Sequence, residues 1–232
     1  MQSVVVVGAR GYVGSALYTE LLSRENYIVT AVTRENYVEA QKSTFDVLIN
    51  CAMPSARFWA KNNPYQDFIE TVQKTADLFY GWHYKKFVQV SSISARCQLD
   101  TVYGWHKAAA ESLVDPDKHL VVRLGPMYSP ELTKGVLVDI REGKKVFVDG
   151  RSRYCFTPLH FNAEWIVSHL DRKGIIEVGA KNAITLQELA SQLGVNAQFE
   201  GALDHQEIMT PEPDFPDARE VLTFMDNWRK ES

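Results

Sequence analysis

The sequence predicts an α/β fold on a parallel sheet, and three observations predict it. An apolar β-branched run, Ser3 to Val7, stops at the glycine-spaced segment Gly8-Ala9-Arg10-Gly11-Tyr12-Val13-Gly14, after which Val13, Ala16, Leu17 and Leu21 recur at helical spacing. Strand-like runs at Tyr27 to Thr33 and Phe87 to Val90 then alternate with helical stripes, the longest holding Tyr65, Phe68, Ile69, Val72, Ala76 and Phe79. A length of 232 residues, 45% of them apolar, suits one domain, 1–232, with a small C-terminal lobe drawn mainly from 127–160 and 175–232.

The first segment reads as strand, tight turn, helix. Gly8 permits the turn, Gly11 lets backbone approach a pyrophosphate, and Gly14 lets the helix lie close to the strand. The helix N-terminus, at Tyr12 and Val13, supplies unpaired N–H groups and a positive dipole end. This is the dinucleotide-binding arrangement of a Rossmann-type doubly wound sheet. In such a fold the end of the second strand faces the adenosine ribose, where an acid would bind a 2′-hydroxyl. That end carries Arg34, whose planar fork suits a 2′-phosphate, with Arg10 as a second basic contact. NADP is therefore favoured, with NAD the alternative.

Phe87 to Val90 runs into Ser91-Ser92, so two hydroxyls sit at the carboxyl end of a strand, where open α/β sheets bind ligands. Tyr103 opens a helical segment, and Lys107 follows at i+4 on the same face. A tyrosine hydroxyl, with pKa about 10, is a poor base near neutral pH until a cation favours its phenolate. Lys107 can supply that charge and hydrogen-bond the nicotinamide ribose. Ser92 or Ser91 then holds the substrate oxygen while Tyr103 passes a proton as hydride moves.

With both motifs in hand, the chain resembles the short-chain dehydrogenase/reductase superfamily, specifically its extended branch of nucleotide-sugar epimerases, dehydratases and reductases. Phe45-Asp-Val-Leu-Ile-Asn-Cys-Ala52 is similar to the family strand whose end lies beside the cofactor, which implies cofactor contacts from Cys51, Ala52 and Met53. Val121-Val-Arg-Leu-Gly-Pro-Met-Tyr128 resembles the strand and turn that flank the nicotinamide through Gly125, Pro126 and Met127. The resemblance further implies substrate contacts from Tyr128, Arg151, Arg153 and Phe156, with Ser91 beside the catalytic Ser92; an arginine there suits a diphosphate.

Two departures narrow the reaction. Only eleven positions separate Ser92 from Tyr103, an abbreviated substrate loop, and Ile93-Ser94 stands where dehydratases of this branch carry Asp-Glu. Carbonyl reduction of a nucleotide sugar or related compound is the first reading, because a biosynthetic reductase draws on the NADP pool. A nucleotide-sugar 4-epimerase is the alternative, and a non-catalytic NADP-binding regulatory protein the alternative from another class.

A net charge of −4 gives no basic footprint for nucleic acid. No apolar run approaches a membrane span, and no secretion signal is visible, so the expected location is the cytoplasm. Cys51, Cys97 and Cys155 show no close pairing and the six histidines no ligand spacing, so no metal is expected. Cys51 reads as packing, and His106 receives no role. Thr185 with Glu188 makes a capping box. Thr210 to Asp217, with three prolines and three acids, reads as an extended connector, and Val221 to Arg229 as a short helix that covers the core, with service to a partner subunit as the alternative. A homodimer through the Tyr65 to Phe79 helix and the helix after Tyr103 is an open expectation.

Overall fold

The computed structural model describes residues 1–230, so the last two residues of the 1–232 expectation lie outside the described residues. In chain order the elements are β1 (Gln2–Val7), α1 (Tyr12–Leu22), β2 (Tyr27–Val32), α2 (Tyr37–Ala40), β3 (Thr44–Asn50), α3 (Arg57–Asn62), α4 (Pro64–Phe68), a π-helical turn (Ile69–Gln73) and α5 (Lys74–Gly81). They continue with β4 (His83–Ser92), α6 (Ser94–Cys97), α7 (Val102–Glu111), β5 (Leu120–Leu124), β6 (Met127–Tyr128), α8 (Val136–Arg141), β7 (Arg153–Tyr154) and β8 (Thr157–Pro158). The chain ends with α9 (Leu159–Ser168), β9 (Gly174–Val178), β10 (Ile184–Thr185), α10 (Leu186–Gln192) and α11 (Glu220–Lys230).

A six-stranded sheet runs β2-β1-β3-β4-β5-β9, with β1 parallel to β2 and β3, and β3 parallel to β4. Chain order reverses at β1, so the crevice beyond the carboxyl ends of β1 and β3 is the topological switch point of a doubly wound sheet. Burial explains the strand sequences. Val4 to Val7 of β1 and Val47 to Asn50 of β3 are wholly buried, as strands covered on both faces must be. At the sheet edge, β2 keeps only Val32 buried. Under the sheet, Val5, Val7, Leu48, Leu78, Trp82, Phe87 and Val121 close one core cluster.

The chain divides into two compact units, Met1–Arg123 with Ala163–Ile176, and Leu124–Asn162 with Glu177–Ser232. In the first, the stripe expected as one helix from Tyr65 to Phe79 is α4 and α5 joined through the π turn. The reason is a buried polar row within the apolar stripe: Asp67, Thr71 and Thr75, each at most 1% exposed. Residues four apart drift about 40° around an α-helix at each step, and a wider turn cancels that drift. All three therefore stay on the inner face.

The second unit carries the antiparallel pair β7–β10 and the parallel pair β6–β8. Val221, Met225 and Trp228 of α11 are buried, and the Arg141 guanidinium lies 3.6 Å from the Trp228 ring, so this helix covers the unit's own core. The Thr185 hydroxyl accepts from the Glu188 N–H at 3.1 Å, capping α10. Thr210 to Asp217 holds neither helix nor strand.

Candidate active site

The glycine turn is built by close approach. Gly8 has φ +86°, and a Cβ there would lie 2.8 Å from the Cys51 carbonyl carbon and oxygen. The chain leaving β3 therefore runs directly against the turn, with the Cys51 N–H donating to Val7 O at 2.9 Å. A Cβ on Gly14 would lie 2.2 Å from the Gly8 carbonyl oxygen. The helix is thus held against the turn itself rather than against the strand. With Gly11 as N-cap, α1 presents its first amides at this bare backbone, a cradle that side chains would fill and that fits a dinucleotide pyrophosphate. Cys51 is partly exposed, burial raises its thiol pKa, and Met53 accepts a weak hydrogen bond from Gln89.

At the ribose end, Arg34 is exposed and its charge reaches Glu70. Arg10 departs from expectation: its two terminal nitrogens each lie 3.0 Å from a Glu35 oxygen. Asn36 folds the loop back by accepting from the Thr33 N–H and donating to Ala31 O, which brings Glu35 over Arg10. Hydrogen bonding from Arg10, then its charge, holds the Glu35 carboxyl below its usual range. A cavity of about 360 Å³ opens here, lined by Ala9, Arg10, Tyr18, Thr33, Glu35 and Asn36. Arg10 is therefore paired with an acid, not poised as a second phosphate contact.

The two serines separate cleanly, because successive strand residues point to opposite faces. Ser91 donates to Glu111 Oε1 at 2.6 Å, and Arg123 grips both Glu111 oxygens at 2.6 to 3.1 Å. A substrate contact from Ser91 is thereby corrected: its hydroxyl is buried and committed to a carboxylate. The Ser92 and Tyr103 hydroxyls share a hydrogen bond, and Ser92 Oγ also accepts from the Ser94 N–H at 3.2 Å.

Tyr103 and Lys107 are both buried, at 8% and 4% exposure, with the ammonium nitrogen 5.2 Å from the phenol ring centre. Burial moves their pKa values toward the neutral forms. The Tyr103 phenol is raised, against the opposing Arg57 charge and the Ser92 hydrogen bond. Lys107 is pushed down to about 7, with Asp67 and then Glu111 opposing. Tyr103 is thus held toward its neutral phenol rather than drawn toward phenolate, because desolvation outweighs the opposing charge of Arg57.

The short Ser92-to-Tyr103 spacing has a physical basis. The Thr101 hydroxyl caps α7 by accepting from the Gly104 N–H at 3.0 Å. A Cβ on Gly104 would lie 2.1 Å from Gln98 O and 2.6 Å from Ser94 O. Only a glycine lets α6 lie this close to the first turn of α7.

Four charged residues of this cluster escape the sequence reading: Arg57, Asp67, Glu111 and Arg123. Glu111 had a signal, its i+4 spacing from Lys107, and Asp67 another, as an acid inside an apolar stripe. Arg57 and Arg123 had none. His106, given no role, has Nδ1 2.7 Å from Asp67 Oδ2.

In the second unit the Gly125 N–H donates to Val178 O at 2.8 Å, and Pro126 O accepts from the Thr157 N–H at 3.1 Å. Met127 opens β6. The substrate residues expected here are otherwise engaged. Arg151 pairs with Asp149 at 2.7 Å, and Arg153 with Glu207 at 3.0 Å, so neither fork is aimed at a diphosphate. Phe156 is 2% exposed and stacks on Tyr154 at 5.2 Å, a core side chain. Tyr128 is buried with its ring 4.7 Å from Phe224. Among the described residues no cluster of His, Cys, Asp or Glu could hold a metal ion, and no helix is long and apolar enough to cross a membrane.

Residues 4–148 match the model of the NAD dependent epimerase/dehydratase family. The chain belongs to that family. It is accordingly an NAD(P)-dependent enzyme of the short-chain dehydrogenase/reductase superfamily. No curated protein matches it in sequence. Solved structures of similar fold include RMD from Pseudomonas aeruginosa complexed with NADPH, at 16% identity, TM-score 0.76 and full coverage (100%) of both chains. dTDP-4-dehydrorhamnose reductase from Bacillus anthracis in complex with NADP follows at 18% identity and TM-score 0.75, covering 100% of this chain and 98% of that one. UDP-glucose 4-epimerase from Thermotoga maritima gives 13%, 0.73, 98% and 97%.

Proposed function

We propose that this family member is an NADP-dependent reductase acting on the keto group of a nucleotide sugar or a related carbonyl compound. The observation that carries the reading is the Ser92–Tyr103 hydroxyl pair beside buried Lys107. Burial keeps the Tyr103 phenol protonated, which is the state that donates to a carbonyl oxygen. Ser92 orients that oxygen, Tyr103 gives it a proton, and Lys107 stabilises the phenolate left behind and holds the ribose. When bound, the nicotinamide supplies the hydride. Gly8, Gly11, Tyr12, Val13 and Gly14 would hold the pyrophosphate, Arg34 the 2′-phosphate, and Ala52 and Met53 further parts of the dinucleotide. Residues 127–160 and 175–232 are assigned to the substrate side. Structural relatives crystallised with NADPH and NADP support this choice of cofactor.

One observation favours the 4-epimerase alternative. Glu35 lies in the cavity beside Arg10, and an acid there suits a free 2′-hydroxyl and hence NAD. Fluorescence titration of cofactor-stripped protein with NADPH and NADH decides between them. The expected result is tighter NADPH binding, lost in Arg34→Asp and strengthened several-fold in Glu35→Gln, which releases Arg10. Preferred NADH binding, weakened by Glu35→Gln, would move the epimerase ahead. Tyr103→Phe should bind NADPH normally and turn over nothing; undiminished biological activity in that variant would favour a regulatory protein.

The exposed aromatic rings of Phe58 on α3, Tyr65 on α4 and Trp105 on α7 lie on three neighbouring helices of the first unit, and we assign this face to a second copy of the chain. Sedimentation should give a dimer for the wild type and a monomer for Trp105→Glu. Equal masses would remove the assignment.

A further inference from the structure

Asp67 is completely buried on α4, with Oδ2 held by His106 Nδ1 at 2.7 Å and Oδ1 without a hydrogen-bond partner. A carboxylate only accepts, so Nδ1 carries the shared hydrogen. His106 immediately precedes Lys107 on α7, keeps part of its side chain in solvent, and has the Phe68 ring edge-on at 5.8 Å. The π turn after α4 keeps Asp67 on the face that meets α7.

We propose that Asp67, fixed in place by His106, is a positioning residue that keeps the buried Lys107 ammonium charged and thereby sets the pH range over which Tyr103 can pass its proton. This rests on the reading of Tyr103 and Lys107 as the reacting pair.

Two carboxylates bear on Lys107: Asp67, and Glu111 one turn along Lys107's own helix. Glu111 is already neutralised: Arg123 on β5 binds both its oxygens, and Ser91 of β4 donates to one of them. Seen from Lys107, that pair is close to a dipole. Asp67 faces only an imidazole and keeps one oxygen unpartnered, so its field reaches Lys107 with less cancellation. The larger of the two opposing effects on Lys107 is accordingly that of Asp67. Tyr103 is faced by Arg57 of α3 through its charge, by Ser92 of β4 through its hydrogen bond, and by Asp67 itself, whose negative charge pushes the phenol upward. Without Asp67, nothing uncompensated opposes the desolvation of Lys107, and the cation that must stabilise the Tyr103 phenolate is lost at neutral pH.

The test is an NMR pH titration of purified protein carrying ¹³Cε-labelled lysine, with Lys107 assigned by the signal missing in Lys107→Met. The wild-type midpoint is expected near 7. Asp67→Asn should lower it by about one pH unit or more, a roughly tenfold loss of the charged form at fixed pH, and Asp67→Glu should restore it. His106→Gln, at a partly exposed position, should lower it by less, because the carboxylate remains but is no longer held by the imidazole. A midpoint in Asp67→Asn equal to the wild type's overturns the proposal, as does an unshifted His106→Gln should Asp67→Asn not fold. The titration needs neither cofactor nor substrate, so a protein that reduces no carbonyl would count against the proposed function and leave this test intact.

Discussion

Lys107→Met should make the protein more stable while abolishing turnover. In the unfolded chain a lysine titrates at about 10.4; in the fold Lys107 is pushed down to about 7 by burial. Between those two values the unfolded chain holds a proton that the folded chain lacks, so stability from this group rises with pH across the window. Below pH 7 the full cost of the buried charge is present. One pKa unit corresponds to about 1.4 kcal/mol, and the net drop to about 7 already includes the attraction of Asp67 and Glu111, so the gain at pH 6 should be about 4–5 kcal/mol. Near pH 10 the two proteins should converge. Cys155, whose pKa burial raises, also titrates in alkali, but it is common to both proteins and cancels in the comparison. Denaturant unfolding at pH 6, 8 and 10 measures this directly. A constant difference across pH would mean that Lys107 is not buried as an ammonium.

That trade of stability for a charge explains what the sequence made legible. The glycine turn, the strand-end serines and the Tyr103–Lys107 spacing are local patterns, and each is found where its spacing placed it. Gly8 could be read because its turn lies within seven residues; that Cys51 runs against it could not, because β3 approaches from forty residues away. The choice between Ser91 and Ser92 was invisible for the same reason. It depends on Glu111 and Arg123, twenty and thirty-two positions along the chain, and on which face each serine presents. The substrate arginines failed in a complementary way. Arg151 and Arg153 carry suitable chemistry, but Asp149 and Glu207 take up their forks, and pairing of exposed charges leaves no periodic trace. Desolvation was the largest omission. A motif specifies that Tyr103 and Lys107 share a helix face, whereas the sign of their pKa shifts depends on how much of the fold covers them.

The Glu111–Arg123 pair is where removing one partner should cost most. Arg123 is bidentate on Glu111, the side chains are 18% and 4% exposed, and Ser91 fills a further acceptor site on the carboxylate. Desolvating two charges is repaid here only because each satisfies the other. Arg123→Met should therefore destabilise by about 3–5 kcal/mol, since it strands a buried carboxylate with only a serine hydroxyl. Glu111→Leu takes the carboxylate away from both Arg123 and the Ser91 hydroxyl and should cost a similar amount. The double variant Glu111→Leu/Arg123→Met replaces the pair with apolar side chains, leaves the Ser91 hydroxyl without its carboxylate acceptor, and should cost less than either single change, about 1–3 kcal/mol. Its unfolding free energy, set in a double-mutant cycle with the two singles, yields the coupling. Additive losses would show that the pair does not act as a unit, and would remove the reason given above for treating Glu111 as neutralised when its field is compared with that of Asp67.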